Sequence, residues 1–232
     1  MKLEVLYEDN HLLAVHKPAG LLVQGDRSGD ETLLDVAGAY LKQKYDKPGR
    51  VYLGLVHRLD RNVSGVVLLA RTSKAAGRLS HQFREGTVTK VYQAVVVGSP
   101  AKDKGELRSW LAAKGDAKGV TRTAPEPFAG AREGLLRYHV LETGGGWSLV
   151  EVRPVTGRRH QIRAQFALAG HPLLGDVKYG SARRLPDHRI ALHAVSLGVS
   201  HPVGGEPLTL IASLPEDWPW PVTVEKERAS WP

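Results

Sequence analysis

The apolar positions change period along the chain, and each change marks an element. "LEVLY" (Leu3–Tyr7) and "LLAVH" (Leu12–His16) are short apolar runs on either side of the polar turn "EDNH". They predict two strands. "KPAG" (Lys17–Gly20) then breaks the pattern. Between Thr32 and Tyr45, apolar residues at 33, 34, 36, 37 and 41 form a helical stripe with Thr32 at the N-cap. "GVVLLAR" (Gly65–Arg71) is an unbroken apolar run of strand length, which predicts a central strand covered on both faces. "TSKAAGRLSHQFREG" (Thr72–Gly86) predicts a helix capped by Thr72 or Ser73 and ended by Gly86. "VTKVYQAVVVG" (Val88–Gly98) returns to strand. The stretch from Glu106 to Gly134 is rich in Gly, Pro and Lys and reads as a strand followed by a mobile loop. "LLRYHVLET" and "WSLVEVRPV" form a strand pair around "GGG" (Gly144–Gly146). "GRRHQIRAQFALAG" (Gly157–Gly170) predicts a helix with Ile162, Phe166 and Ala169 facing inward. The Pro- and Trp-rich tail from Leu214 to Pro232 reads as loose surface packing.

Strands and helices mix without strict alternation, with no internal repeat and no clean linker. That predicts one α+β domain over residues 1–232, built on a mixed, largely antiparallel sheet flanked by helices. A chain of 232 residues is long enough to bury a sizeable core. The net charge of +8 suits a polyanionic partner, although on its own it fits a merely soluble surface equally well. The absence of cysteine excludes disulfides, thiolate metal sites and cysteine nucleophiles. The ten histidines show no metal-ligand spacing, so no metal is expected. The first residues carry Glu4, Glu8 and Asp9 and do not form a signal peptide, and no apolar run approaches a membrane span. The expected compartment is the cytoplasm.

Two stretches concentrate candidate chemistry. In "VHRLDRNVSG" (Val56–Gly65), Asp60 lies between Arg58 and Arg61, directly before the apolar strand. It is either a turn residue paired with Asn62 or a carboxylate held ionised by guanidiniums, usable as nucleophile or base. In the later helix, Arg159 and Arg163 are four residues apart and share a face, and Gly157 frees the backbone beside Arg158. That suits a phosphate at a helix start, or else an ordinary solvated face. Tyr92 either stacks on a base or fills the core. "LLGDVKYG" (Leu173–Gly180) reads as plain turn chemistry.

"HRLDRNVSGVVLLA" resembles the catalytic motif of the RluA-type pseudouridine synthases. "KPAGLLV", "KVYQAVVVG", "TGRRHQIR" with "HPLLGDVKYG", and "ALHAVSLGVSHP" resemble that family's other motifs, in order, over Leu3 to Leu214. The resemblance implies isomerisation of uridine to pseudouridine in ribosomal or transfer RNA. It implies Asp60 as the catalytic aspartate, Tyr92 against the target base, and Arg163 paired with the aspartate. Arg58 would enter the space left by a flipped nucleotide, while the place of Arg158 and Arg159 near the helix start suits them to hold phosphates. No cofactor, membrane or obligatory protein partner is implied, and a monomer is expected. The additional N-terminal RNA-binding module that relatives often carry is expected to be absent. Two positions depart from the family pattern: Val63 stands where Thr is usual, and Gln165 where His is frequent. Val63 removes a hydroxyl beside Asp60. The competing classes are a non-catalytic RNA-binding protein on the same fold and a glycosidase-like hydrolase. The second is disfavoured, because only one carboxylate sits in a recognisable motif.

Overall fold

The apolar alternation of two strands decides where the helices pack. The computed structural model describes residues 3–26, 28–46 and 48–220. Strand β1 (Glu4–Glu8) pairs antiparallel with β2 (Leu12–Lys17). Helix α1 (Leu33–Lys44) follows, started by Thr32 and Asp35, which bond each other's backbone in a capping box. After the short β3 (Gly54–Leu55) comes β4 (Ser64–Ala70), buried along its whole length. In β2 and β4, Leu13, Val15, Val67 and Leu69 face the cluster that holds Leu33 and Leu41 of α1. Leu12, Ala14, Val66 and Leu68 face the opposite cluster. There they meet Ala75 and Leu79 of α2 (Ser73–Glu85), which Thr72 caps and Gly86 ends in the left-handed conformation. Both faces of β4 are therefore covered, as the unbroken apolar run requires, and each of its larger side chains contributes about 1.5–3 kcal/mol by leaving water.

The remaining strands are β5 (Thr89–Val97), β6 (Lys104–Ala112), β7 (Thr123–Ala124), β8 (Ala131–Gly144) and β9 (Trp147–Pro154). Helix α3 (Gln161–Leu168), β10 (Leu192–Ser200) and β11 (Pro207–Ile211) complete the described residues. The strands form one sheet in the order β1-β2-β4-β10-β5-β9-β8-β6-β7, with β3 and β11 paired to β4 and β10. Among the named strands only β4 and β10 run parallel, through His193 opposite Ser64 and Ala194 opposite Gly65. Gly65 has φ +122°, and a Cβ there would collide with the Ala194 backbone. Only glycine lets these two strands approach, and they carry Asp60's loop on one side of the sheet's centre.

The fold class is as expected from the pattern: a mixed, largely antiparallel sheet with helices on it. Four local readings change. Helix α3 begins at Gln161 rather than Gly157, because His160 is held at φ +52°, which interrupts the helical backbone. Ala169 is exposed as the helix C-cap rather than packed inward. The stretch read as mobile loop contains β7, bonded to β6 at Trp110 and Leu111. The tail also departs from the loose packing expected of it. Trp220 is buried against Val95, Leu174 and Ala191 and donates its indole N–H to Glu142 at 2.9 Å. Residues 221–232 of that tail lie outside the described residues.

Candidate active site

Asp60 sits on a turn, and the turn is pinned from beneath. Its carbonyl accepts from the Val63 amide at 3.1 Å, so the turn reading holds for the backbone. Lys17 at the end of β2 is fully buried. Its ammonium donates to the carbonyls of Pro18 (2.9 Å), Leu21 (2.8 Å) and Arg61 (3.0 Å). Burial pushes the Lys17 ammonium down to about 7, against the pull of Asp60. Arg61 and Gly20 exchange two further bonds at 2.8 and 2.9 Å. "KPAG" thus clamps the backbone that presents Asp60. Val63 is buried in the core.

The Asp60 side chain is about a third open to solvent (29%) and faces Arg163 of α3. The Arg163 Nη1 donates to Asp60 Oδ2 at 2.8 Å. Its Nε and Nη2 donate to the two oxygens of Asp176 at 2.6 and 2.9 Å. One buried guanidinium therefore serves two carboxylates, one fully enclosed and one facing the cleft. Burial opposes the Arg163 charge, but Asp176 and Asp60 outweigh it and hold the proton more firmly than usual. The ring of Tyr179 lies 4.9 Å from the guanidinium carbon, a cation–π contact. Its hydroxyl accepts from the Thr121 amide at 2.7 Å and sits 2.9 Å from His160 Nδ1. That leaves His160 Nε2 3.7 Å from Asp60. Burial and the neighbouring Arg163 and Arg159 push this imidazole down to about 4, although Asp60 opposes them, so it stays neutral at pH 7.

Asp60 opens into a cleft of about 640 Å³. Tyr92 of β5 lines it, and burial, helped by Asp60, raises the phenol above its ordinary range. The cleft also receives Arg58, Arg84, Lys90, Arg158 and Arg159, with Asp60 the sole carboxylate among the described lining residues. Arg58 is exposed and has no ion pair among the described residues. Arg158 and Arg159 precede the helix instead of starting it, and Arg159 does not share a helical face with Arg163. Arg158 Nε donates to the Glu133 carbonyl at 2.8 Å, and Arg159 Nη2 to the Gly119 carbonyl at 3.2 Å. Gln165 points away from the cleft and ties α3 to the carbonyls of Leu107 and Gly134 at 3.0 and 2.9 Å. Among the described residues, no cluster of three His, Cys, Asp or Glu side chains is placed to hold a metal ion.

The structure thus brings Asp60, Tyr92 and Arg163 to one cleft and sets Arg58, Arg158 and Arg159 around it. Sequence reasoning missed Lys17, His160, Asp176 and Tyr179. Asp176 and Tyr179 were inside "LLGDVKYG", whose turn composition hid a buried carboxylate. The family model described as RNA pseudouridylate synthase matches residues 11–168, more than half of the chain.

The chain belongs to the RNA pseudouridylate synthase family.

Related synthases match it nearly end to end. An uncharacterized RNA pseudouridine synthase of Bacillus subtilis is 36% identical over 221 residues, covering 94% of this chain and 71% of its own. The tRNA pseudouridine synthase C of Yersinia pestis is 37% identical over 235 residues, covering 93% and 88%. The ribosomal large subunit pseudouridine synthase D of Zymomonas mobilis is 34% identical, covering 93% and 70%. Among solved structures, human RNA pseudouridylate synthase domain containing 4 superposes with a TM-score of 0.77 at 26% identity, over 93% of this chain and 90% of that one. The synthase is an isomerase that converts uridine in RNA to pseudouridine. No described helix is long and apolar enough to cross a membrane.

Proposed function

We propose that Asp60 is the reacting carboxylate and that the synthase acts on uridines in structured ribosomal or transfer RNA. The observation that carries this reading is the shared guanidinium. Arg163 is fixed from behind by Asp176 through two bonds, which leaves its third nitrogen, Nη1, to aim and hold Asp60 in the cleft. A carboxylate so oriented is in place before substrate arrives, so little reorganisation is needed at reaction.

The target base must leave its stack to reach that floor, at a cost of a few kcal/mol. Tyr92 would support the extruded uracil, and the surrounding Arg and Lys residues would hold the backbone. Asp60 then either attacks C1′ or removes a ribose proton. The C1′–N1 bond breaks, the uracil turns, and C5 bonds to C1′. The proton on C5 leaves and N1 gains one, so the product is an isomer of the substrate and no oxidant or water is consumed. The names of two relatives, one a tRNA enzyme and one a ribosomal large-subunit enzyme, support RNA of these two classes as substrate. The reading treats the chain as a single catalytic domain acting as a monomer in the cytoplasm, without cofactor.

The test pairs mapping with one substitution. Pseudouridine mapping of ribosomal and transfer RNA, from cells lacking the synthase and from their parent, identifies the site. Asp60→Asn keeps the shape of the side chain and removes its charge. Product formation at that site should vanish while RNA binding survives, and turnover by this variant at the normal rate would remove Asp60 from the chemistry.

A further inference from the structure

We propose that Lys90 is the binding group for one backbone phosphate adjoining the extruded uridine. This inference rests on the reading of the cleft given above. Residues 90 and 92 alternate with 91 along β5, so Lys90 and Tyr92 project from the same face of the strand, and both line the cleft. The two positions are separated by roughly 6.5–7 Å of strand. That is the scale of a nucleotide from its base to its phosphate.

Lys90 differs from the other cationic groups of the cleft wall in combining burial with the lack of a partner, since Arg58 and Arg84 are exposed to water. The guanidiniums of Arg158, Arg159 and Arg163 each donate to a carbonyl or carboxylate of the protein. Lys90 is partly buried, yet its ammonium has no hydrogen bond or ion pair among the described residues. It stands over Gly157, close enough that a Cβ there would be 3.8 Å from Nζ. His57 lines the same cleft, neutral and stacked on Phe83 at 5.0 Å. The His57 Nε2 accepts from the Leu68 amide at 2.9 Å, so its lone pair is used and cannot serve Lys90. Burial lowers the Lys90 pKa, and its charge also depresses that of His57. A half-buried ammonium without a counter-charge is costly, and an incoming anion relieves that cost. The bare backbone at Gly157 leaves room for a phosphate against it. In a cleft whose substrate is RNA, that anion is a phosphodiester, fixed relative to the base on Tyr92.

The experiment uses the 232-residue chain and a stem-loop RNA cut around the uridine that mapping identifies. Single neutral methylphosphonate linkages replace the phosphates around the target, one per RNA. For wild type, one linkage beside the target should lower affinity about tenfold, as for loss of a charge-assisted bond. Lys90→Met should bind the native RNA about tenfold more weakly, with the slope of affinity against salt reduced by about one unit. The variant should then be indifferent to that linkage while keeping wild-type sensitivity at the others. Lys90→Arg should recover most of the affinity, and Lys90→Gln stands in if the Met variant does not fold. If wild type and the Lys90 variants lose affinity equally at every linkage, or the variants bind native RNA as wild type does, the proposal is overturned. Failure of the catalytic reading would look different. Asp60→Asn would then still make pseudouridine, whatever the linkage scan returned.

Discussion

At the scale of single residues, the site turns on one buried guanidinium with two masters. Asp176 is 1% exposed and meets Arg163 with both oxygens, while Asp60 takes a donor of its third nitrogen, Nη1. Removing Asp176 strands a charge in the interior. Asp176→Ala should cost about 3–5 kcal/mol of stability, read from urea unfolding. Arg163→Lys keeps the charge but cannot fork between two carboxylates. Its single-turnover rate at saturating RNA should fall roughly 100-fold through loss of alignment, with RNA affinity and its salt slope nearly unchanged. A changed salt slope with an intact saturated rate would move Arg163 from the carboxylate to a phosphate. Asp60, Tyr92 and Arg163 were legible as candidates because each sits in a recognisable run of sequence. Asp176 was not, because a Gly-Asp pair looks the same whether its carboxylate meets water or a guanidinium thirteen residues earlier.

At the scale of elements, the decisive joint is the parallel contact of β4 with β10. Gly65→Ala places a methyl against the Ala194 backbone at a positive φ. The expected loss is about 1–3 kcal/mol, which for a chain of 232 residues a melting curve would show as a Tm lower by roughly 2–12 °C. Activity should fall beyond what the stability loss explains, because the turn bearing Asp60 leads straight into β4. An unchanged Tm would mean that the strands have room to part. Strands β1, β2, β4, β5, β6, β8 and β9 and the first two helices were readable from period and caps, whereas the short β3, β7 and β11 were not. The start of α3 was not. It depends on His160 at positive φ and on the Gln161 side chain, which accepts from Thr156 (2.7 Å) and from the Arg158 amide (2.9 Å). Hydrophobic period carries no trace of either. Trp220 escaped for a related reason: a Trp in a Pro-rich tail looks superficial until its partners on β5 and the Leu174 turn are known.

At the scale of the whole molecule, His57, His160 and His193 share a property. Burial is the foremost cause in each, and all three imidazoles are pushed down to about 4. His193 is wholly enclosed, bonded to Ser64 at 2.8 Å. In the unfolded chain they would protonate near their ordinary value of about 6.5. Between these values the unfolded state binds more protons, so the stability they protect is complete above about pH 6.5 and is lost as pH falls toward 4. Each contributes a slope of about 1.4 kcal/mol per pH unit in that window. Urea midpoints measured from pH 7 to 4.5 should decline steadily, and a flat profile would contradict the burial of these rings. The parallel joint has a further consequence, in time rather than in space. Ser64 and His193 are 129 residues apart, and Asp60 and Arg163 are 103 apart. At ribosomal speeds of about 5–20 residues per second, the 129-residue gap is a wait of roughly 6–26 s. Through that wait β4 has β2 on one side, while on the other β3 covers only Leu69 and Ala70, so the Ser64–Gly65 end that β10 will pair is left as an edge of the kind that recruits stray strands. Nascent chains arrested before β10 emerges should therefore stay protease-sensitive around Asp60, and no copy ended before β10 should be able to modify RNA.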